Sequence, residues 1–381
     1  MREFAQRVER VEPSATLAVS NKAAALEAEG ADVVDLSVGE PDFPTPAPVV
    51  EAGKAALDAG HTGYAPSQGI RALREAISDD LARRNVEHGA EEILVTPGAK
   101  MALYEAIQAL IDEGDEVVLL DPAWVSYEAM VKLAGGSIVR VDTARHDFRL
   151  RPALHDLEAV VSDRTQLLVV NSPSNPTGAV YSDHALAGVR DLAVEHDFDV
   201  ISDEIYGSIT YGEEPLSLGS LDGMTDRTVT VDGFSKAYSM TGWRLGYLAG
   251  PEEVVSQATK VQSHSTTCAA NFVQHAGVAA LEAADDAVEE MVDAFESRRD
   301  LLVDLLADEG VDVPTPDGAF YLFLPVDEDD ESWCMDAIED AHVAAVPGRA
   351  FGSPGYARLS YANSEDRIRE AVERLADEGF L

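Results

Sequence analysis

Short apolar runs alternate with longer amphipathic stretches through the middle of the chain. Runs of four or five residues, which are typical of buried strands, lie at 117–120, 137–141, 167–170, 199–202 and 228–231. Between them, apolar residues with helical spacing predict helices near 98–112, 124–135, 153–160 and 182–196. Continuous apolar strands separated by helices indicate an α/β fold in which helices cover both faces of a parallel sheet.

The last third of the chain adds a second set of elements. Residues 270–308 predict one long helix, which leads into a C-terminal α/β unit with strands at 318–323 and 358–361. A chain of 381 residues has room for two such units, each with its own core.

The composition is that of a globular protein, with 46% hydrophobic residues. No stretch approaches the roughly 18 uninterrupted apolar residues that a membrane span requires, and the first ten residues lack the apolar segment of a secretory signal. The two cysteines and nine histidines have neither disulfide-framework nor metal-ligand spacing. We therefore expect a cytoplasmic protein with no membrane partner and no metal site.

Acidic residues far outnumber basic ones. The chain has 70 aspartates and glutamates against 28 lysines and arginines, which gives a formal charge of −42. Nucleic acids and anionic membranes are therefore poor partners, because both require a basic face. The acidic residues are scattered along the chain, which is typical of a halophilic protein whose self-repulsion is screened at molar salt, where the Debye length is about 3 Å. The alternative is an acidic protein from an ordinary cytoplasm.

Polar residues suited to chemistry follow four of the predicted strands. They are the segments 121–124, 171–178 and 203–206, and the single residue Lys236. Because ligands of parallel α/β sheets bind outside the carboxyl ends of the strands, we expect these residues to share one site.

Lys236 is the most informative of these residues. It lies among small residues directly after a strand, a place where lysine is rarely buried unless it is paired or used chemically. A Schiff base with pyridoxal phosphate removes this problem, since the amine is then bonded to the cofactor. Arg244, eight residues later, has the forked donors that bind phosphate. The segment 96–100 offers backbone N–H groups at a helix N-terminus, although an ordinary strand-to-helix turn explains it equally well.

Asp203, Tyr206 and Asn175 are candidates for contacts with the ring of such a cofactor. An ionised Asp203 keeps the pyridine nitrogen protonated; the alternative interpretation is a helix N-cap. Tyr206 lies one helical turn later, where its phenol is suited to hydrogen-bond the O3′ oxygen. Asn175 lies in a turn-forming segment and is suited to donate to O3′ and to a substrate carboxylate.

Trp124 and Arg358 complete the candidate set. Trp124 is suited to stack on the pyridine ring, with an ordinary core position as the alternative. Arg358 is suited to bind a substrate α-carboxylate with two hydrogen bonds, with a surface position as the alternative. No glycine-rich dinucleotide fingerprint and no Walker-type loop follows a strand, which argues against nucleotide chemistry.

Taken in order along nearly the whole chain, these segments resemble the class I, fold-type I aminotransferases that depend on pyridoxal phosphate, and in particular the aspartate aminotransferase subgroup of bacteria and archaea. The matching segments are 13–16, 39–43, 64–66, 171–173, 175–178, 202–206 and 236–244. The resemblance implies a large domain at 46–275 with a mostly parallel, seven-stranded sheet covered by helices. It also implies a smaller α/β domain at 276–381, entered by a long linking helix, with residues 1–45 as an N-terminal arm and part of that smaller domain.

The resemblance assigns catalytic and ring-binding roles to individual residues. Lys236 is implied to be the Schiff-base lysine and general acid–base, and Asp203 to pair with the pyridinium. Tyr206 and Asn175 are implied to hold O3′, and Trp124 to stack on the ring.

Phosphate and substrate contacts are implied for a second set of residues. The phosphate contacts are Gly98, Ala99, Lys100, Ser235 and Arg244. The substrate α-carboxylate contacts are Gly39 and Arg358, beside Trp124 and Asn175. The contacts with the distal carboxylate of aspartate are Lys100, Ser14 and Thr16. Gly233 departs from the pattern, since some relatives carry a phosphate-binding serine there, and this puts one phosphate contact in question.

Members of the resembling family are homodimers whose active sites lie at the interface. Tyr64 matches the residue that reaches the phosphate bound by the partner subunit. A homodimer with shared sites is therefore implied for this chain.

The implied reaction moves an amino group from an amino acid, aspartate first, to 2-oxoglutarate by a ping-pong mechanism. Aromatic, prephenate-type or other amino acid aminotransferases are alternatives, as is a β-lyase that uses the same cofactor. A non-catalytic regulator needs an attached DNA-binding module, for which the first predicted strand near residue 33 leaves no room.

Overall fold

The computed structural model describes residues 4–13, 15–212, 215–326 and 329–381. Twelve strands lie in these ranges: β1 (Val34–Asp35), β2 (Ile93–Thr96), β3 (Glu116–Asp121), β4 (Ser137–Asp142), β5 (Thr165–Asn171), β6 (Asp199–Asp203), β7 (Thr228–Gly233), β8 (Gly246–Ala249), β9 (Tyr321–Pro325), β10 (Val343–Ala344), β11 (Val346–Pro347) and β12 (Tyr356–Ser360). The five strands predicted in the middle of the chain are all present as β3 to β7, with ends that differ by one or two residues.

Thirteen α-helices lie in the same ranges: α1 (Gln6–Glu9), α2 (Ala15–Ala28), α3 (Ala47–Asp58), α4 (Arg71–Arg83), α5 (Ala99–Leu110), α6 (Val125–Ala134), α7 (Leu150–Val160), α8 (Asp183–His196), α9 (Glu252–Ser265), α10 (Asn271–Ala283), α11 (Asp285–Asp308), α12 (Asp330–Asp340) and α13 (Glu365–Asp377). The four predicted helices of the central region correspond to α5, α6, α7 and α8.

A seven-stranded sheet carries the loops that hold the candidate residues. Its strands lie in the order β2-β8-β7-β6-β5-β3-β4. All neighbours are parallel except β8, which is antiparallel to both β2 and β7. The predicted α/β fold with a mostly parallel sheet is confirmed. Because β3, β5, β6 and β7 run in one direction, their carboxyl ends meet at the same edge.

Helices cover both faces of this sheet, and successive strand residues show it. Val117 and Leu119 of β3 pack into the core that α5, α6 and α9 close. Val118 and Leu120 pack into a separate core, which α7 and α8 close. Since successive strand side chains point to opposite faces, an unbroken apolar strand needs a cover on each side.

A second, smaller unit contains an antiparallel sheet in the order β11-β12-β9. Its core joins Phe295 and Leu302 of α11 to Leu322 of β9, Leu359 of β12 and Ile368 of α13. The strand β1 pairs in parallel with β10, which fastens the N-terminal segment to this unit.

The prediction of one long helix over 270–308 is wrong. The segment forms two helices, α10 and α11, separated at Ala284. The backbone of Ala284, with φ −118° and ψ 7°, lies outside the helical range. Asp285 and Asp286 occupy the first turn of α11, where carboxylates are stabilised by the unpaired N–H groups and the positive end of the helix dipole. These charges favour a new helix start over continuation.

No helix of the described ranges is both long and apolar enough to cross a membrane. Among the same residues, no group of three or more His, Cys, Asp or Glu side chains is arranged to hold a metal ion.

Candidate active site

One large cavity, of about 630 Å³, opens at the carboxyl ends of β5, β6 and β7. Eleven of the predicted site residues line it: Gly39, Ala99, Lys100, Trp124, Asn175, Asp203, Tyr206, Ser235, Lys236, Arg244 and Arg358. Residues separated by more than 300 positions in the chain therefore share one site. Their convergence is what the strand-end argument predicts.

Two of the described residues that were predicted for the site, Gly98 and Tyr64, do not line the cavity. Gly98 lies beside it, where a Cβ atom would be 2.6 Å from Nη2 of Arg244. The side chain of Tyr64 is 89% exposed and lies elsewhere on the surface of this single chain. Ser14 and the side chain of Thr16 lie outside the described residues.

The amine of Lys236 projects into the cavity from the segment that follows β7. Its Nζ donates a hydrogen bond to the backbone carbonyl of Gly39. The same nitrogen lies 5.7 Å from the ring centre of Tyr206 and 5.6 Å from that of Phe320. The amine therefore sits against apolar ring surface, with one neutral oxygen as its hydrogen-bond acceptor.

The environment of Lys236 favours the uncharged amine. The pKa of Lys236 is lowered to about 8, and burial is the largest cause. The positive charges of Arg358, Arg244 and Lys100 lower it as well. The negative charge of Glu40 raises it. An amine with this pKa is available as a nucleophile and as a base near neutral pH.

Asp203 ends β6 with its carboxylate buried. Its Oδ2 accepts a hydrogen bond of 2.5 Å from the hydroxyl of Tyr127, and its Oδ1 accepts one of 3.3 Å from the backbone N–H of Ile205. Burial raises the pKa of Asp203 to about 6, although these two hydrogen bonds and the charge of Lys236 lower it. No helix begins after Asp203, since 205–208 form a turn, so the N-cap interpretation is wrong.

Arg358 lies on β12 with only 3% of its surface exposed, so the surface interpretation is wrong. Its Nη1 donates to Oδ1 of Asn175 at 3.0 Å, and its Nη2 donates to the backbone carbonyl of Ser37 at 2.6 Å. The guanidinium carbon lies 4.4 Å from the ring centre of Tyr321. Its Nε has no hydrogen-bond partner among the described residues. A buried cation with a free donor is suited to bind a carboxylate.

Two backbone segments form the cationic end of the cavity. The helix α5 begins at Ala99, and no side chain caps its first N–H groups. Arg244, in a left-handed conformation with φ 56°, donates from Nη1 to the Thr241 carbonyl at 2.8 Å. Gly246 lets the two segments meet, because a Cβ there would lie 2.3 Å from the backbone nitrogen of Ala99.

Lys100 also lies at this end of the cavity, on α5. Its Nζ is 4.8 Å from the ring centre of Trp124. Partial burial, followed by the charge of Arg244, lowers the pKa of Lys100. Two cations and a helix N-terminus thus converge on one region, which is suited to bind an anion.

Gly233 leaves no space for the serine that some relatives have there. A Cβ on Gly233 would lie 2.9 Å from Cα of Gly246 and 3.1 Å from the carbonyl oxygen of Leu245. Ser235, two residues later, does line the cavity.

Three further cavity residues, for which the sequence predicts no role, hydrogen-bond to the predicted ones. Tyr127 binds the Asp203 carboxylate, and the hydroxyl of Tyr321 lies 2.9 Å from that of Tyr206. Asn171 accepts from the Asn175 backbone through Oδ1, and its Nδ2 donates to the Asp203 carbonyl. A signal existed for Tyr127, which lies three residues after Trp124 at the start of a helix. None existed for Tyr321, whose strand belongs to a distant part of the chain.

The donor set fits pyridoxal phosphate. The cavity volume is in the usual range of small-molecule sites, roughly 300–1,000 Å³. Cations and open N–H groups at one end suit a phosphate, and the buried Asp203 carboxylate at the other end suits a ring cation. Lys236 supplies the amine that an aldehyde requires. Trp124 lines the same cavity, and its ring centre is 4.8 Å from Nζ of Lys100.

The position of the Lys236 amine predicts an unusual pH dependence. Any aldehyde bonded to the amine is first removed from the protein. The rate of Lys236 acylation should then rise with pH around a midpoint near 8, because the reactive form is the neutral amine. Peptide mass spectrometry after brief labelling from pH 6 to 11 measures this, with the exposed Lys54 in the same sample as the comparison. Superimposable profiles for the two lysines would contradict the assignment.

Comparison with known proteins agrees with this geometry. The sequence pattern of the family described as aminotransferase class I and II matches residues 31–375. The aspartate aminotransferase of Thermotoga maritima is 42% identical over 373 residues, which are 98% of each chain. The aspartate/prephenate aminotransferase of Thermus thermophilus is 44% identical over 382 residues, 99% of this chain and 98% of that one.

Solved structures give the same result. The aspartate aminotransferase from Thermus thermophilus with maleate superimposes with a TM-score of 0.95 at 44% identity, covering 99% of this chain and 100% of that one. The predicted enzyme class and the predicted cofactor, pyridoxal phosphate, are confirmed, since this family consists of transaminases that depend on it. The chain belongs to the class I and II aminotransferases.

Proposed function

We propose that this aminotransferase moves the amino group of aspartate to 2-oxoglutarate through the cavity described above. The observation that carries the proposal is the convergence of Lys236, Asp203 and Arg358, from three distant parts of the chain, on one buried site. When bound, pyridoxal phosphate supplies an electron sink for the negative charge that forms at the substrate Cα.

Lys236 is proposed as the residue that moves the proton. Its pKa of about 8 leaves roughly a tenth of the amine neutral at pH 7, far more than the ordinary lysine value of 10.5 allows, so the amine can take the proton from the substrate Cα and return it later. The ring surfaces of Tyr206 and Phe320 limit the access of water to the amine.

Four residues are proposed to hold the ring. Asp203 is proposed to keep the pyridine nitrogen protonated. A buried carboxylate and a ring cation each favour the charged form of the other when they lie side by side. Tyr206 and Asn175 are proposed to bind O3′, and Trp124 to stack on the ring. Gly98, Ala99, Lys100, Ser235 and Arg244 are the proposed phosphate contacts.

Arg358 is proposed to bind the substrate α-carboxylate, together with the backbone of Gly39. Its hydrogen bonds to Asn175 and Ser37 fix the plane of the guanidinium, so little conformational freedom is lost on binding. The ring of Tyr321, whose centre is 4.4 Å from the guanidinium carbon, also restricts the motion of the guanidinium.

Lys100, with Ser14 and Thr16, is proposed to select a distal carboxylate. Lys100 lies on the cavity wall beside Trp124, where it acts as a point charge. The names of the relatives support a dicarboxylic amino acid, and the Thermus enzyme was solved with maleate, a dicarboxylate. Prephenate is the second candidate acceptor, because one of these relatives is named for it.

The assembly and the setting are proposed as well. We propose a homodimer with shared sites, in which the partner subunit covers the exposed ring of Tyr64. The proposed domains are residues 46–275 and 276–381, with residues 1–45 as an arm and part of the smaller domain.

The scattered acidic residues support a halophilic, cytoplasmic protein.

The substrate proposal predicts a specific loss in a Lys100→Ala variant. The value of kcat/KM for aspartate should fall roughly 10- to 100-fold, because a charge-assisted hydrogen bond is worth about 1.5–3 kcal/mol. The fall for an aromatic amino acid should be much smaller, since it has no distal carboxylate. Both are measured as formation of glutamate from 2-oxoglutarate in molar KCl, with Lys54→Ala as the control.

An equal loss for both substrates would place Lys100 at the phosphate alone. Release of pyruvate and ammonia without any 2-oxo acid would instead indicate a lyase and contradict the proposed reaction.

The charge balance predicts that salt stabilises the fold. Screening weakens ion pairs, such as those of Arg367 and Arg374 with Asp32, but 28 cations cannot neutralise 70 anions, so the loss of repulsion is the larger effect. The Tm should rise by roughly 5 °C or more between 50 mM and 2 M KCl, which corresponds to about 4 kcal/mol for a chain of 381 residues. Thermal unfolding in sucrose of equal osmolality is the control. A Tm independent of KCl would exclude a halophilic adaptation.

A further inference from the structure

A buried charge network lies directly behind the candidate active site. Arg84 follows α4, an element that contributes no residue to the cavity wall. Its Nη1 donates to Oε2 of Glu204 at 3.1 Å, and its Nη2 lies 3.3 Å from Oδ2 of Asp232. The same Nη2 donates to the hydroxyl of Tyr247 at 3.0 Å and to Asp80 at 3.4 Å.

The two central carboxylates of this network adjoin the two central residues of the site. Glu204 follows Asp203 in the chain, and Asp232 precedes Lys236 by four residues on β7. Since β6 and β7 are hydrogen-bonded neighbours, with Asp203 opposite Val231, one guanidinium bridges both strand ends. Arg84 thereby fixes the spacing of the two strands at the point where they deliver their side chains.

Further hydrogen bonds make the arrangement rigid. Oε1 of Glu204 accepts from the hydroxyls of Ser202 and Ser217 at 2.8 and 2.6 Å. Oδ1 of Asp232 accepts from the backbone N–H of Gly233 at 2.6 Å. The side chain of Arg84 is only 14% exposed. A buried network in which the carboxylates are satisfied holds its members in one arrangement.

The network is also electrostatically unbalanced. Arg84 is the cation that three carboxylates share: Asp80 on α4, Glu204 and Asp232. Burial raises the pKa of Asp232 to about 7 although Arg84 lowers it. The charge of Glu204 raises the pKa of Asp203. Without Arg84, the charge of Glu204, and that of Asp232 at any pH where Asp232 is ionised, would be uncompensated next to Asp203 and near Lys236.

We propose that Arg84 is a positioning residue of the aminotransferase, which bridges Glu204 and Asp232 behind the sheet and thereby sets the spacing and charge of Asp203 and Lys236. The inference rests on the proposed roles of those two residues. An arginine is required, because a forked guanidinium reaches both carboxylates at once, whereas a lysine ammonium reaches one.

Three variants separate the bridging from the charge. Arg84→Lys keeps the charge but loses the bridge, so kcat should fall about 10-fold or more through misplacement of the reacting groups, with little change in KM. Arg84→Gln also loses the charge. It should therefore raise the midpoint of the pH titration of the holoenzyme's visible absorption by about 0.5 to 1 unit, since negative charge favours the protonated form. In the double variant Arg84→Gln/Asp232→Asn, the midpoint of this absorption titration should return most of the way to the wild-type value, because one negative charge is removed as well. The value of kcat should stay low, because the bridge is still absent.

The titration reports on a defined set of groups. Arg358, Glu40, Arg244 and Lys100 act on Lys236 and are unchanged in all three variants. Around Asp203 the facing groups are Tyr127, Tyr206, Glu204 and Lys236, and around Asp232 they are Arg84, Asp80, Glu204, Tyr238 and Tyr247. Those groups are likewise kept, apart from Arg84 and Asp232 themselves.

Arg299→Gln is the matched control. Arg299 is a similarly buried arginine on α11, and it pairs with Glu296 and Asp300 rather than with residues of the network. Its removal should lower the Tm and leave the absorption midpoint and kcat unchanged. Arg84→Gln behaving in the same way, with a lower Tm alone, would overturn the inference.

Two further outcomes keep the test decisive. If Arg84→Gln does not fold, Arg84→Lys and the double variant carry the measurement, and wild-type kcat in Arg84→Lys would show that the bridge is not needed. If the wild-type holoenzyme itself has no visible band, the proposed function fails instead, whatever Arg84 does.

Discussion

The site depends on two buried groups of opposite charge that the fold keeps apart from any ion-pair partner. Burial lowers the pKa of the Lys236 amine to about 8 and raises that of the Asp203 carboxyl to about 6, so each is shifted toward its neutral form. Among the described residues no salt bridge involves either group. An unpaired buried charge is costly, and a ligand with an aldehyde and a ring cation removes both costs when it binds. The roles proposed for the two residues, cofactor binding for both and proton transfer for Lys236, therefore have the same physical cause, which is burial.

The sheet makes this arrangement possible. Five parallel strands end at one edge, so β6 supplies Asp203 while β7 leads into Lys236. The antiparallel β8 brings Gly246 against the N-terminus of α5, which places Arg244 beside the open N–H groups of that helix. The smaller unit completes the site from the other side, since Arg358 and Tyr321 come from its antiparallel sheet. Each half contributes groups that the other lacks.

Much of this could be predicted from local sequence, and the failures share a reason. Apolar runs at β3 to β7 and the polar residues after them identified the sheet and its functional edge, because strand burial and strand ends leave a local signature. The break at Ala284 was missed because alanine favours helix, although Asp285 and Asp286, which follow it, are the acidic residues typical of a first helical turn. Tyr321 and the Arg84 network were missed because their partners lie far away in sequence. The hydrogen bonds of Ser202, Ser217 and Gly233 to the carboxylates of this network have no local sequence signal, because they form only when the strands lie side by side.

All of the proposed roles depend on one covalent bond, between the Lys236 amine and the cofactor. Borohydride reduction of the purified holoprotein, followed by proteolysis and peptide mass spectrometry, tests it most directly. The account predicts a stable pyridoxyl group on the peptide that contains Lys236, and none on that peptide in a Lys236→Ala variant that remains folded. A wild-type protein that retains transaminase activity but carries no adduct on Lys236, or carries it on another lysine, would contradict the account.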